Sequence, residues 1–348
     1  MRFYFSVWIW ILLVLVHVTP IESHGQEAHF RADVNLVVAD VAVINRISSR
    51  PIVDLKRADF VVLDEGQERE VRYFQQGIEG LDLVFLLDSS STATESSENY
   101  ANGVAAAVES LWLEDQVAVM SFASKPALVA PFTNSPRAIN QALREIMRSR
   151  RRPMRARILD ALEAAIKLFP NQRRDPRRRR AILIITHNEE KANQEKRDRV
   201  TSELLEMDIT LHGVVVERCD WWPGFKMWSI LNLPGGPVPI IRKTWPTECV
   251  PRPESYTIDP IVTATGGELV REEGTPMKEY LPVAFTRLRL HYVLGFHGVG
   301  ESKNGDDFRR LKIELSPAAR QRYPEAVVRH RQGYFVRSAT KTASSRAF

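Results

Sequence analysis

The stretch that decides the fold is LVFLLDSSST, residues 83–92. Its five consecutive apolar residues predict a strand buried on both faces, as in a parallel sheet. Asp88, Ser90 and Thr92 follow at a spacing of two, and ligands of open α/β sheets bind outside the carboxyl ends of the strands. Their oxygen atoms suit Mg²⁺ or Mn²⁺. The alternative is a turn whose hydroxyl groups cap the next helix.

The pattern around this stretch alternates buried strands with helices. Such alternation predicts an α/β fold with a doubly wound, mostly parallel sheet that is covered by helices on both faces. The further strands are predicted at 117–122, 181–186, 209–216 and 292–296. The helices are predicted near 97–113, 135–147, 158–168, 192–207, 259–265 and 277–288.

Short strands with apolar and polar alternation return at both ends of the chain. We expect these ends to pair with each other into a small β-sandwich beside the central domain. The predicted end strands are 34–43, 60–63, 71–74, 310–315, 327–330 and 333–336.

Length and composition restrict the class of protein to which the chain can belong. The chain has 348 residues, of which 44% are hydrophobic and 26% charged, so it can bury a sizeable core. This excludes a disordered tail protein, a collagen and a disulfide-dense miniprotein. The predicted order is a signal peptide (1–25), an N-terminal β segment (26–78), the central domain (79–298), a C-terminal β segment (299–337) and a polar tail (338–348).

The first 25 residues have the composition of an export signal. Arg2 precedes an uncharged, apolar run from Phe3 to Val16, and Ser23 and Gly25 place small residues before a plausible cleavage point. We expect a periplasmic, cell-surface or secreted protein with no membrane span after cleavage. The alternative is a retained N-terminal anchor.

The two cysteines, Cys219 and Cys249, bracket a segment rich in Trp and Pro within a predicted insertion at 219–255. Little regular structure is predicted for this segment. In an oxidising compartment a Cys219–Cys249 disulfide would stabilise such a loop. The alternative is two free thiols.

Three motifs together resemble the von Willebrand factor type A (vWA) domain: Asp-x-Ser-x-Thr from Asp88, Gln116–Phe122, and Thr265-Gly266-Gly267. With the flanking Asp64-Glu65-Gly66 and Gln332-Gly333-Tyr334, the chain also resembles exported bacterial proteins related to that domain and common in Acidobacteria. The resemblance covers roughly residues 30–337. It implies the fold given above and a binding role.

The resemblance also implies a metal-ion-dependent adhesion site built from three loops. The first loop corresponds to Asp88, Ser90 and Thr92. The threonine of the second loop is replaced by Ala156, and the aspartate of the third by His187. Since a neutral imidazole is a poor ligand for Mg²⁺, the site is degenerate by this comparison. Two alternatives stay open. The site could still bind Mg²⁺ or Mn²⁺, or it could bind a softer divalent ion with His187 as a ligand.

Arginines enter the second loop and oppose a cation there by Coulomb repulsion. They are Arg150, Arg151, Arg152, Arg155 and Arg157. One hypothesis places the guanidinium of Arg155 or Arg157 against Asp88 in place of the metal. The alternative is that these arginines point to solvent.

Residues 144–180 contain fourteen Lys or Arg and four acids, a net charge of +10, against +5 for the whole chain. The loop arginines predict a surface for a protein or an anionic ligand. The alternative is that these arginines lie on solvated loops without a binding role, in a sequence that is rich in arginine. Nucleic acid is not expected, because no stacking aromatic residues interleave with them.

These features favour a non-enzymatic binding or adhesion protein with no certain cofactor. The first alternative is a metal-independent scaffold or assembly subunit of a periplasmic or cell-surface complex. The least favoured is a serine hydrolase that uses Ser90 and His187, because the strained turn of such enzymes is not seen.

Overall fold

The structure is a computed structural model. It describes residues 36–77, 80–90, 103–104, 107–109, 111–148, 156–171, 175, 177–188, 190, 193–216, 225–233, 236–243, 257–271, 277–298 and 307–336. Within these ranges the strands are β1 (Leu36–Asn45), β2 (Phe60–Asp64), β3 (Gln67–Arg69), β4 (Val71–Gln76), β5 (Gly80–Asp88), β6 (Gln116–Phe122), β7 (Pro126–Thr133), β8 (Arg178–Thr186), β9 (Ile209–Val215), β10 (Phe225–Leu233), β11 (Gly236–Lys243), β12 (Leu269–Arg271), β13 (Tyr292–His297), β14 (Asp307–Leu315), β15 (Ala326–His330) and β16 (Gly333–Val336). The helices with described bounds are α1 (Pro136–Arg148), α2 (Ile158–Ile166), α3 (Gln194–Glu206), α4 (Asp259–Thr265), α5 (Met277–Arg289) and α6 (Pro317–Arg322).

The central sheet has the strand order β12-β9-β8-β5-β6-β7. Neighbouring strands are parallel except for β7, which runs antiparallel to β6 at the edge. This confirms the predicted mostly parallel α/β sheet. The sequence pattern missed β7, because Pro126 and Pro131 are typical of loops. At a sheet edge, however, a proline costs no ladder hydrogen bond.

Alternate residues of β5 face two separate cores. Leu83 and Phe85 pack on one face of the sheet, where the ring of Phe85 lies 5.3 Å from that of Phe285 on α5. Val84 and Leu86 pack on the other face, against residues of α2, α3 and α4. The unbroken apolar run of β5 therefore has a direct cause, since both faces of the strand are covered.

Two further sheets carry the ends of the chain. One has the order β15-β1-β13-β4 and the other β16-β14-β2-β3, and their inner faces share a hydrophobic core. Long-range pairs such as Val62–Ile313 join the N-terminal and C-terminal segments. The predicted sandwich of the two ends is thus present.

The position of β13 corrects one prediction. Residues 292–296 were expected in the central sheet, inside a domain that ends at 298, but β13 pairs antiparallel with β1 and β4. Its inward residues Leu294 and Phe296 fill the sandwich core, while Val293 packs on the central domain. Burial on both faces produces the same apolar run in either sheet, so the pattern could not identify the sheet.

The predicted insertion also differs from expectation. Its residues Phe225–Leu233 and Gly236–Lys243 form the antiparallel hairpin β10–β11 in a segment for which little regular structure was predicted. Cys219 and Cys249 lie outside the described residues, so the disulfide stays a prediction.

A buried ion pair ties the start of β5 to the end of α5. The Asp115 side chain is fully buried, and its Oδ1 accepts from Leu81 N–H and from Arg289 Nη1, both at 3.0 Å. Its Oδ2 accepts from Trp112 N–H at 2.7 Å and from Arg289 Nη2. The Arg289 guanidinium also lies 4.4 Å from the centre of the Trp112 ring. Both carboxylate oxygens of Asp115 are therefore occupied by hydrogen bonds that stabilise the fold.

A close backbone contact joins the central domain to the sandwich. Gly266 ends α4 in the left-handed conformation, with φ of +77°. A β-carbon there would lie 2.4 Å from the His330 carbonyl carbon, where β15 ends and the turn to β16 begins. The same turn is held by Gln332 N–H, which donates to Ala264 O at 2.8 Å.

Candidate binding site at the carboxyl edge of the central sheet

Asp88 ends β5, and the protein itself occupies both of its carboxylate oxygens. Oδ1 accepts from Ser90 N–H at 2.9 Å and from Ser90 Oγ at 2.5 Å. Oδ2 accepts from Thr186 Oγ1 at 2.7 Å, across the sheet at the end of β8. The structure thus brings Asp88 and Ser90 together, and their role as metal ligands stays a prediction. Thr92 lies outside the described residues.

Asn188 extends this network across the third loop. It is fully buried with φ of +53°, and its backbone N–H donates to Thr186 Oγ1 at 3.0 Å. Its side chain accepts from Ile258 N–H at 3.2 Å and donates to Asp259 Oδ2 at 3.0 Å. The loop is therefore fixed to the start of α4. Asparagine is among the residues that tolerate the left-handed region, which is the one sequence signal for this role.

The far end of the network reaches β12. Asp259 Oδ1 accepts from Arg271 Nη2 at 2.5 Å, and both side chains are about a quarter exposed. Polar contacts thus run without interruption from Asp88, at the end of the inner strand β5, to the edge strand β12. Sequence reasoning did not predict this arrangement, because its members are far apart along the chain.

His187 occupies the position of the third-loop aspartate. Its Nδ1 lies 2.9 Å from Val216 O. A carbonyl only accepts, so Nδ1 carries the hydrogen and Nε2 is the basic nitrogen. Ser90 meanwhile donates its hydroxyl hydrogen to Asp88 and not to an imidazole. This geometry gives the hydrolase alternative no support.

The second loop returns to the same edge at Ala156 and Arg157. Arg157 N–H donates to Ala123 O at 2.9 Å, just beyond β6, and Ala156 packs against the apolar core. The Arg157 Nε lies 2.6 Å from Asp160 Oδ2. The hypothesis that Arg157 pairs with Asp88 is therefore wrong. Arg150, Arg151, Arg152 and Arg155 lie outside the described residues.

Glu190 is a second acid at this edge that the sequence analysis missed. Its Oε2 accepts from Leu159 N–H at 3.0 Å in the first turn of α2, where a carboxylate complements the helix dipole. Burial nevertheless raises the pKa of this carboxyl above its ordinary value, and the nearby negative Asp160 adds to the effect. The sequence signal would have been an acid shortly after a strand of the sheet.

This raised pKa predicts how stability depends on pH. The folded state binds the Glu190 proton more tightly than the unfolded chain does, so the group stabilises the fold when pH falls toward 4.5 and opposes it at neutral pH. Glu190→Gln should therefore raise the melting temperature at pH 7, on the order of 1–2 °C. The gain should vanish below about pH 4.5. Thermal melts across this pH range measure it.

Glu163 on α2 provides a matched control of opposite sign. Burial tends to raise its pKa, but hydrogen bonds from Arg199 and Lys196 outweigh burial and lower it. Glu163→Gln should therefore destabilise at pH 7, and the loss should shrink as pH falls below about 4.5. Equal pH profiles for both variants would contradict this interpretation of Glu190.

The described residues of this site do not make up the ligand set of a hard divalent cation. Among the described residues no three His, Cys, Asp or Glu side chains lie close enough together to hold a metal ion. Of the positions that the resemblance assigns, Ala156 supplies no ligand atom and His187 supplies a neutral one. Of the oxygen ligands that the first loop would supply, the structure describes Asp88 and Ser90. Their side chains are hydrogen-bonded to each other.

Residues 83–189 match the family model of the von Willebrand factor type A domain. Together with the strand order, this match supports a vWA domain within the chain, as the resemblance predicted. Among curated proteins, none matches this sequence.

Several solved structures are similar in fold. The BatB protein of Bacteroides thetaiotaomicron is 18% identical, with a TM-score of 0.43 over 60% of this chain and 97% of that chain. An aerotolerance-related membrane protein of Bacteroides fragilis is 18% identical, with a TM-score of 0.42 over 60% and 98%. Proximal thread matrix protein 1 of the mussel byssus is 13% identical, with a TM-score of 0.41 over 62% and 49%. At these identities the likeness concerns the fold alone.

One further observation bears on the prediction of localisation. In the described part of the chain, no helix combines the length and the apolar character needed to cross a membrane.

Proposed function

We propose that this chain is an exported, non-enzymatic binding protein whose vWA domain recognises its ligand without a bound metal ion. The observation that carries the proposal is the internal bonding of Asp88, whose two oxygens accept from Ser90 and Thr186. Internal donors replace the positive partner that the carboxylate would otherwise need. The substitutions at Ala156 and His187 support the same conclusion.

The proposed ligand is a protein or surface with negative charge. The arginine-rich segment 150–155 leads directly into Ala156 and Arg157, and Arg157 N–H bonds to Ala123 O beyond the carboxyl end of β6. The positive charges therefore enter the chain next to the degenerate site. Export is proposed from the sequence of residues 1–25 alone.

The test uses poly-L-glutamate as an anionic probe and residues 26–348 as the protein. We expect binding of equal strength in EDTA and in Mg²⁺. Arg150→Ser, Arg151→Ser and Arg152→Ser together should weaken it roughly tenfold, about 1.4 kcal/mol. The matched control replaces Arg173 and Arg174 by serine, in the other basic cluster, and should bind as the wild type does. A loss of binding in EDTA would refute the proposal.

Thermal melts test the metal-independence separately. Mg²⁺ or Mn²⁺ should leave the melting temperature of the wild type unchanged, because a ligand raises it only by binding the folded state. The double variant Ala156→Thr, His187→Asp restores the two substituted positions. It should gain a Mg²⁺-dependent rise of a few degrees. A rise of that size in the wild type would show a functional metal site.

A further inference from the structure

The corner segment, residues 330–332, ends β15 and leads into β16. Arg331 Nη2 donates to Val38 O on β1 at 2.6 Å, and the same guanidinium pairs with Asp208, just after α3. A backbone hydrogen bond from Gln332 N–H joins the segment to the end of α4. The corner segment therefore connects the sandwich to the central domain.

The imidazole of His330 joins the corner segment to β14. Its Nε2 lies 3.0 Å from Ile313 N, and its Nδ1 lies 2.7 Å from Arg331 O. A backbone N–H only donates and a carbonyl only accepts, so Nδ1 carries the hydrogen and Nε2 has the free electron pair. The hydrogen bond from Ile313 N–H therefore exists only while His330 is neutral.

This hydrogen bond extends the bonded edge of β14 by one step. Leu311 N–H, two residues earlier on β14, donates to Gln332 O at 2.8 Å. At Ile313 the imidazole of His330 takes the place that a strand carbonyl would occupy. Ile313 is 2% exposed, so its N–H would lack a partner if the imidazole ceased to accept. Leaving a buried donor without a partner is costly.

The charged groups that act most strongly on His330 come from β14 and from the corner segment. They are Lys312, Glu314 and Arg331. Lys312 lies 2.8 Å from Glu314, and Arg331 pairs with Asp208, so each charge has an opposite charge beside it. The residues of β1 and α4 that lie against His330 are a valine and a glycine, which carry no charge. These surroundings supply no net charge that would hold a proton on the ring.

Burial lowers the pKa of His330 below its ordinary value of 6.5. The hydrogen bond to the Arg331 carbonyl and the charge of Glu314 oppose this shift, while the positive charges of Arg331 and Lys312 add to it. The folded protein therefore binds this proton less tightly than the unfolded chain does. The contribution of His330 to stability is complete above pH 6.5 and is lost as pH falls below that value.

We propose that His330 is a pH-sensitive switch that holds the corner segment on β14 when neutral and releases it when protonated. A proton on Nε2 places an N–H against the Ile313 N–H, and two donors cannot bond to each other. The imidazolium gains by turning toward solvent, because the residue is only half-buried and water solvates its charge. Release weakens the connection between the sandwich and the central domain and leaves the core of the central sheet in place.

Thermal melts of residues 26–348 at pH 7.5 and pH 5 test this switch. In His330→Gln, the side-chain oxygen still accepts from Ile313 N–H, but the group does not titrate. The variant should melt close to the wild type at pH 7.5. At pH 5 the wild type should have lost up to about thirtyfold in its folded-to-unfolded ratio relative to the variant, or up to roughly 4 °C.

The matched control is His297→Gln, at an exposed histidine that ends β13. This residue pairs with Leu36, whereas His330 pairs with Val41 farther along β1. The control should keep the whole acid loss of the wild type. An equal acid loss in the wild type and in His330→Gln would overturn the proposal, as would the same relief from His297→Gln.

Hydrogen exchange of the wild type, followed by NMR, decides the matter even if His330→Gln does not fold. After correction for the intrinsic exchange rate, the protection of the Ile313 amide should fall roughly tenfold between pH 7.5 and pH 5. The amides of β8 in the central sheet should keep their protection. An Ile313 amide that is equally protected at both pH values would overturn the proposal. An equal loss of protection in β8 would also overturn it, because the whole fold would then be opening.

Discussion

Replacing Asp115 by alanine should lower the free energy of unfolding by about 3–5 kcal/mol. The carboxylate is fully buried and accepts four hydrogen bonds, from Leu81, Trp112 and twice from Arg289. Its loss leaves the Arg289 guanidinium, whose side chain is 7% exposed, without a counter-charge. The melting temperature should fall by roughly 10 °C, which differential scanning calorimetry measures directly.

Two comparisons isolate the cause of that loss. Asp175→Ala breaks an ion pair with Arg177 whose side chains are 40% and 58% exposed, and it should cost less than about 1 kcal/mol. The double variant Asp115→Ala, Arg289→Met should recover part of the stability, because it removes the uncompensated charge. A double variant less stable than Asp115→Ala would show that the ion pair is not the source.

Gly266→Ala should cost about 3 kcal/mol or more, because the added β-carbon would lie 2.4 Å from the His330 carbonyl carbon and 2.6 Å from Arg331 N. Both are backbone atoms, so no side-chain rotation relieves the contact. Either α4 or the turn between β15 and β16 must move. Urea unfolding of the purified variant measures the loss.

Gly66 supplies a control with nearly the same backbone conformation. Its φ is +79° against +77° for Gly266, but a β-carbon at Gly66 meets no atom within 4 Å. Gly66→Ala should therefore cost only the left-handed backbone penalty of about 1–2 kcal/mol. Equal losses at the two glycines would mean that the turn of the sandwich does not press on α4.

Local patterns were enough to predict the central sheet. The run 83–87 is apolar because Leu83 and Phe85 face one core and Val84 and Leu86 face the other. The inner parallel strands β6, β8 and β9 share this cause, and each was predicted from the sequence. The short parallel strand β12 at the sheet edge was not predicted, and its three residues are only half-buried. The edge strand β7 escaped detection, because an edge strand can contain prolines that the sequence otherwise assigns to loops.

Pairing between distant segments was harder to predict. The apolar run of β13 indicates burial on two faces, yet nothing local distinguishes a strand of the central sheet from one between the sandwich and that sheet. At the site, Asp88 and Ser90 were found because they follow a buried strand closely. Asn188 and Glu190 were not, because their partners at Asp259 and Leu159 are 71 and 31 residues away along the chain.

The arginines at the start of β8 show a similar limit of prediction from sequence. The sequence predicted that this strand begins at Ala181, with a charged segment before it. The strand begins instead at Arg178, and Arg179 and Arg180 are buried, with 2% and 5% of their surface exposed. Buried arginines need partners from other elements, and single-sequence patterns do not contain that information.

The pairing of the two ends of the chain has a consequence for synthesis. Asp64 on β2 bonds to Arg309 on β14, which lies 245 residues later. During synthesis, β2 therefore keeps the backbone groups that pair with β14 unbonded until nearly the whole polypeptide has been made. Such distant pairings form slowly, and the waiting strands are prone to aggregate. A chain that stops before residue 307 would keep β2 permanently without its partner β14, so interrupted translation should yield aggregates rather than a smaller folded protein.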